Sequence, residues 1–212
     1  NSWIIDAIVT LFCFLAGANF VLHYRMLKSD RKALLKDSEF RFYSLILLAA
    51  TVIIVLLGGL EGSLLAKIKL AAFQVVSVMT TTGFATADFD QWSAAAKYTL
   101  LMLMLIGSCA GSTGGAIKVV RIMLILKSGY RELIHVLHPK AVIPFKLGGL
   151  PVKEEILRPS NIFVAMYIII FLLASLLLAI ICSGDPGMTM ETVLSAVATT
   201  LGNVGPGYGI IG

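Results

Sequence analysis

Charge is scarce in this sequence. Asp, Glu, Lys and Arg make up 14% of its 212 residues against 58% hydrophobic, and the mean hydropathy is +0.92. So little charge excludes an ordinary soluble globule and makes the chain a membrane protein. Cysteine is scarce too: Cys13, Cys109 and Cys182 are odd in number, lie in apolar segments and share no metal-ligand spacing, so they read as small hydrophobes. Histidine is limited to three residues. His135 and His138 stand three apart just before Pro139 but have no acidic or Cys partner nearby, which favours solvated loop residues over a metal pair. HExxH, a Walker motif and a paired nucleophile and base are all missing, so no covalent chemistry is expected. The formal charge of +5 does not point to nucleic acid, because the basic residues are split between apolar runs and form no aromatic-interleaved stripe.

What is present is long apolar runs. A helix needs about 20 apolar residues to cross the hydrocarbon, and residues 3–22, 42–60 and 161–182 each come near that, the first interrupted only by Asp6 and Asn19. Residues 98–126 would form a helix of about 43 Å, too long for the core alone. Gly107, Ser108, Cys109, Ala110, Gly111, Ser112, Thr113, Gly114 and Gly115 interrupt it, and nine small residues in a row predict a break inside the membrane. Two shorter apolar stretches, 70–79 and 188–201, run into Thr/Gly clusters and have the length of re-entrant half-helices.

The basic residues test this layout. All 17 except Lys67, Lys69 and Lys97 fall in 23–41 or 118–158, which puts those two segments in the cytoplasm. Four crossings and two re-entrant stretches satisfy that assignment. The chain does not begin like a signal peptide and ends in a Gly-rich, loop-like sequence, so it is expected to be a partial chain.

Sliding the sequence by 122 positions lays Thr80, Thr81, Thr82, Gly83 and Phe84 over Gly202, Asn203, Val204, Gly205 and Pro206, and lays 42–60 over 164–182. A repeated unit of helix, half-helix and irregular loop follows. Irregular backbone at membrane depth is tolerated where it lines a water-filled path. A half-helix entering from outside turns its carbonyl end inward, which favours a cation, and Thr/Gly loops offer backbone carbonyls in place of hydration water. The alternative for Gly83 and Gly205 is plain loop glycines.

Thr81-Thr82-Gly83-Phe84 and Asn203-Val204-Gly205-Pro206 resemble degenerate copies of the potassium-channel selectivity filter. With the Gly107 to Gly115 stretch, the chain resembles the Trk/Ktr/HKT superfamily of potassium transporters, most closely its bacterial TrkH/TrkG branch. The resemblance implies an all-α integral membrane fold of helix-pore helix-helix repeats. On it, 3–22 is the final helix of one repeat, 42–127 a complete repeat, 128–160 a cytoplasmic loop and 161–212 the next repeat, with further repeats of the same protein completing the pore. K⁺ is then the transported ion, held by backbone carbonyls of Thr81, Thr82, Gly83, Asn203, Val204 and Gly205, and no other cofactor is called for. The stretch containing Gly107, Ser108, Gly111, Ser112, Thr113, Gly114 and Gly115 is implied to be a gate below the filter. A GxxxG packing face through Gly107 and Gly111 is its alternative, and a phosphate cradle fails for want of a Walker register.

The resemblance further implies a bacterial inner-membrane location, a homodimer and a cytosolic nucleotide-binding regulatory subunit (TrkA-like) docking near Lys140, Lys146, Lys153 and Arg158. A basic loop beside anionic lipid is the simpler reading of those residues. Asn203 and Pro206 depart from the usual Thr and aromatic of a filter, which would weaken discrimination against sodium. Symport with protons or sodium and passive flow are both compatible with these residues. The rivals are a homo-oligomeric cation channel and an intramembrane hydrolase using Ser108 or Ser112 with His23 or His135. Elsewhere, Lys118 and Arg121 read as snorkelling side chains, Asp88 and Asp90 as either mouth carboxylates or solvated loop residues, and 141–157 carries a hairpin signal at Gly148-Gly149 weakened by Pro144 and Pro151.

Overall fold

The computed structural model describes residues 3–28, 30–138, 146–148, 150–151 and 154–211. Its helices run α1 (Trp3–Ala16), α2 (Phe20–Lys28), α3 (Ala33–Lys36), α4 (Ser38–Leu57), α5 (Leu64–Met79), α6 (Ala94–Ile106), α7 (Val119–Leu137), α8 (Glu154–Ile181) and α9 (Met190–Gly202). The starts of four of them follow from side-chain caps. Asp37 accepts from Phe40 N at 2.8 Å, and Ser63, Ser93 and Thr189 accept from Ala66, Ala96 and Thr192 N. Such caps stabilise a helix start by about 1 kcal/mol each. Among the described residues the strands amount to one antiparallel ladder, β1 (Lys146–Leu147) on β2 (Leu150–Pro151), at the site of the hairpin signal. Pro151 sits at the ladder's end, where its missing N–H matters least. Lys140, Pro144, Gly149 and Lys153 lie outside the described residues.

α4 and α8 are long and apolar enough to cross a membrane, and their outward Leu and Ile side chains are exposed for lipid to cover. α5 is the centre of the fold. It packs against α1, α4 and α6, and residues 73–79 are all buried. α9 lies against α8 and α6. α1 is fixed on α4 by Phe14, which stacks on Tyr43 with centroids 5.5 Å apart and meets the edge of Phe40 at 5.6 Å.

Two helices stop midway. The 98–126 run is broken where the small residues cluster: α6 ends at Ile106, Gly107 turns at φ +74, and α7 begins only at Val119. The 3–22 run is also not one helix. α1 ends at Ala16, and α2 leaves at 97° to it. Gly17 stands at the bend, where a Cβ would overlap the Tyr43 hydroxyl and come within 2.7 Å of Thr80 Cγ2. The chain passes tightly between these groups and restarts with Asn19, whose Oδ1 accepts from Val21 N at 2.9 Å.

Candidate functional site

α5 ends in a loop of unusual backbone. Thr81 stands at φ +55, a conformation costly for a β-branched residue, and Gly83 follows at φ +79. The turn is held from behind: Thr82 N donates to Ser77 O at 2.9 Å, Ser77 Oγ donates to Phe84 O at 2.6 Å, and Thr80 and Thr82 share a hydroxyl contact of 2.8 Å.

α9 ends the same way, one repeat later. Asn203 stands at φ +56 and Gly205 at φ +114, while Val204 N donates to Thr199 O at 2.9 Å and Gly205 N to Thr199 Oγ1 at 2.8 Å. Each of these positions is the counterpart of Thr81, Gly83, Thr82 or Ser77 at the 122-residue offset. The asymmetry lies in the side chains, with Asn203, which tolerates the left-handed region well, replacing a strained Thr. Among the described residues nothing donates a hydrogen bond to the carbonyls of Thr81, Thr82, Gly83, Asn203, Val204 or Gly205.

The two loops touch. A Cβ on Gly83 would overlap the Val204 carbonyl oxygen and lie 3.2 Å from Pro206 Cδ, so only glycine fits there. Above them, Gly209 N donates to Asp90 Oδ2 at 2.6 Å, Tyr208 OH donates to Lys97 O at 2.5 Å, and Lys97 pairs with Glu191. Asp90 is therefore a tie between the two repeats. Asp88 caps its own turn, accepting from Asp90 N and Gln91 Nε2.

Residues 107–118 lie directly beneath both loops. Gly115 N donates to Thr81 Oγ1 at 2.9 Å, and a Cβ on Gly115 would overlap Gly202 O; one on Gly114 would come within 3.2 Å of Thr80 O. The segment is knitted into the break between α1 and α2: Cys109 N donates to Gly17 O at 3.0 Å, Thr113 N to Ala16 O at 3.3 Å, and Phe20 N to Gly111 O at 3.0 Å. Each broken helix thereby satisfies backbone groups that the other leaves open. Ser108 and Ser112 hydroxyls bond each other at 2.7 Å, and the Lys118 ammonium donates to Gly114 O.

Sequence reasoning missed Glu39. Only 8% exposed in the first turn of α4, its Oε1 accepts from Ala110 N at 2.7 Å and Val120 N at 3.1 Å, tying the 107–118 segment to the start of α7. Nothing local marks this role, since both partners are distant in sequence. Asp6 pairs with Lys69 at 2.6 Å, joining α1 to α5. The hydroxyls of Ser108 and Ser112 face each other, while His23 Nε2 lies 2.9 Å from Leu15 O and His135 and His138 are exposed on and just after α7. Among the described residues no three His, Cys, Asp or Glu side chains gather as a metal site.

A family model described as "TrkH: Cation transport protein" matches residues 1–211. The Trk system potassium uptake protein TrkH of Salmonella typhimurium is 37% identical over all of this chain, which covers 44% of that protein. TrkG of Escherichia coli is 28% identical over 99% of the chain and 43% of its own length. The crystal structure of the potassium transporter TrkH from Vibrio parahaemolyticus superposes with a TM-score of 0.88 at 35% identity, covering the whole chain and 45% of that structure. The chain thus spans less than half the length of the relatives it matches. On the match across 1–211 and the shared fold, the chain belongs to the TrkH family of cation transport proteins.

Proposed function

We propose that the protein containing this chain takes up K⁺ across the bacterial inner membrane. K⁺ passes between the 80–84 and 202–206 loops, partly dehydrated, with the carbonyls of Thr81, Thr82, Gly83, Asn203, Val204 and Gly205 standing in for water. Phe84 and Pro206 close the outer end of the two filters. The observation that carries this reading is the repeated backbone turn, in which two half-helices deliver carbonyls that nothing else in the described chain uses. The carbonyl ends of α5 and α9 add negative partial charge where the cation loses its hydration. Relatives named as Trk potassium uptake proteins favour potassium as the ion.

The 107–118 segment is the gate. It lies under both filters, so conduction requires it to move; Gly114 and Gly115 bring it close under the loops above, and Gly107 and Gly111, at positive φ, give its backbone freedom to rearrange. The protein performs no covalent chemistry. The basic segments 23–41 and 118–158 face the cytoplasm, where a nucleotide-binding regulatory subunit docks near Arg158, and two copies of the whole protein associate. Further repeats of the same protein complete the wall of the pore.

The test is radioactive rubidium uptake into proteoliposomes holding the complete protein, comparing wild type with Gly83→Ser in competing Na⁺. The Cβ of the variant collides with Val204 O and is strained at φ +79, so uptake falls by at least about tenfold or loses its preference over Na⁺. Unchanged rate and selectivity would remove Gly83 from the conduction path.

A further inference from the structure

A second site lies away from the filters. α7, α8 and the lower edge of the 107–118 segment border an open cavity of about 640 Å³ whose lining includes Gly111, Lys118, Arg121, Ile156, Ser160 and Phe163. Among the described residues, none in its lining is acidic. The acid bonded to the same segment, Glu39, is committed to Ala110 and Val120 N and does not line it.

Three polar side chains belong to this lining. The Arg121 guanidinium lies 4.0 Å from the Phe163 ring centroid and spends one N–H on Ile117 O at 2.9 Å. The Lys118 ammonium spends one N–H on Gly114 O. Arginine carries five donors and lysine three, so both keep N–H groups to give. Ser160 is the independent sign of a ligand: its residue is 8% exposed, and its hydroxyl oxygen is buried with no hydrogen-bond partner. An unpaired buried hydroxyl costs about 1–3 kcal/mol, and here it belongs to the lining of a cavity with two cations.

The remaining wall is apolar, and its setting selects the ligand. Ser160 and Phe163 lie near the start of the membrane-crossing helix α8, next to the basic segment, at the level of the cytoplasmic headgroups. Ile156 and Phe163 are exposed at the cavity's edge, where acyl chains would lie. We propose that this cavity binds the phosphate of an anionic phospholipid from the inner leaflet. Arg121 and Lys118 neutralise the phosphate, Ser160 donates its hydroxyl to an oxygen, and Ile156 and Phe163 meet the first methylenes. The site does not depend on which ion passes between the filters.

The complete protein in nanodiscs of phosphatidylcholine doped with phosphatidylglycerol, followed by native mass spectrometry, counts retained phosphatidylglycerol. Wild type retains it in preference to phosphatidylcholine. Arg121→Gln and the cavity-filling Ser160→Leu each lower retention about tenfold, the size of one lost charge-assisted contact, whereas Arg121→Lys keeps part of it and Arg25→Gln, away from the cavity, keeps all. Ser160→Leu carries the test if Arg121→Gln does not fold. Retention unaffected by both variants, or lost equally with Arg25→Gln, would overturn the site. Loss of the lipid on adding millimolar inorganic phosphate would overturn the lipid as ligand in favour of a soluble phosphate.

Discussion

Glu39 bridges Ala110 and Val120 through a single oxygen, so truncating it loosens the candidate gate from α4 while its other ties remain. Each hydrogen bond to a charged acceptor contributes about 1.5–3 kcal/mol, and Glu39→Ala removes two while leaving the N–H groups of Ala110 and Val120 without an acceptor. The 107–118 segment is then destabilised by roughly 3–6 kcal/mol relative to its closed form. Glu39→Gln retains an amide oxygen at the same place and forfeits only the charge, so it loses roughly half as much. Amide hydrogen exchange on the complete protein reads this directly. A 3 kcal/mol loss lowers protection of residues 109–120 by about two orders of magnitude, with Glu39→Gln between the variant and wild type and the amides of α4 above Tyr43 unchanged. Basal rubidium uptake without any regulatory subunit rises in the same order. Protection of 109–120 that is equal in wild type and Glu39→Ala would refute the reasoning, because two bonds of these lengths cannot be lost without loosening what they hold.

Other perturbations test the surrounding contacts. Thr81→Val keeps the side-chain shape and removes the acceptor for Gly115 N; it is expected to cost about 1–3 kcal/mol and to raise exchange at Gly115, whereas Thr81→Ser preserves the bond. Asp6→Ala strands Lys69 partly buried and lowers the melting temperature of the complete protein, and adding Lys69→Met recovers part of the loss; a double mutant no better than the single would mean the pair is not coupled. The Asp30 carboxyl is held below the ordinary carboxylate range by its hydrogen bond from Lys36 and then by that from Lys32 N. Its contribution to the 30–36 turn is present above the usual carboxylate pKa and disappears as pH falls through the lowered value, which pH-dependent exchange in that turn measures; a turn equally protected on both sides of that range would contradict it.

The sequence carries some of these features openly and hides others. The break after Ile106 was legible because nine consecutive small residues cannot hold a helix by packing, and the shared turn at the ends of α5 and α9 was legible because both fall on one offset. The 97° turn after Ala16 was not. A lone Gly17 in an apolar run is tolerated by most helices, and the groups that close on it here, Tyr43 and Thr80, come from distant parts of the chain. Glu39 has the same difficulty, reading as an ordinary acid in the first turn of a helix. Asp90 reads from sequence as either a mouth carboxylate or a solvated loop residue, because its partner, Gly209, belongs to the other repeat. Local chemistry marked the turns after Ile106 and at the ends of α5 and α9, whereas contacts from distant parts of the chain accompany the turn after Ala16 and decide what each turn holds.

The most direct measurement of ion passage between the two loops is anomalous diffraction from crystals of the complete protein soaked in Tl⁺ or Rb⁺. The expected result is an anomalous peak within coordination distance of the carbonyls of Thr82, Gly83, Val204 and Gly205, displaced by excess K⁺. A protein that conducts Rb⁺ in liposomes yet shows its anomalous density elsewhere, with none at these carbonyls, would contradict conduction through the paired loops.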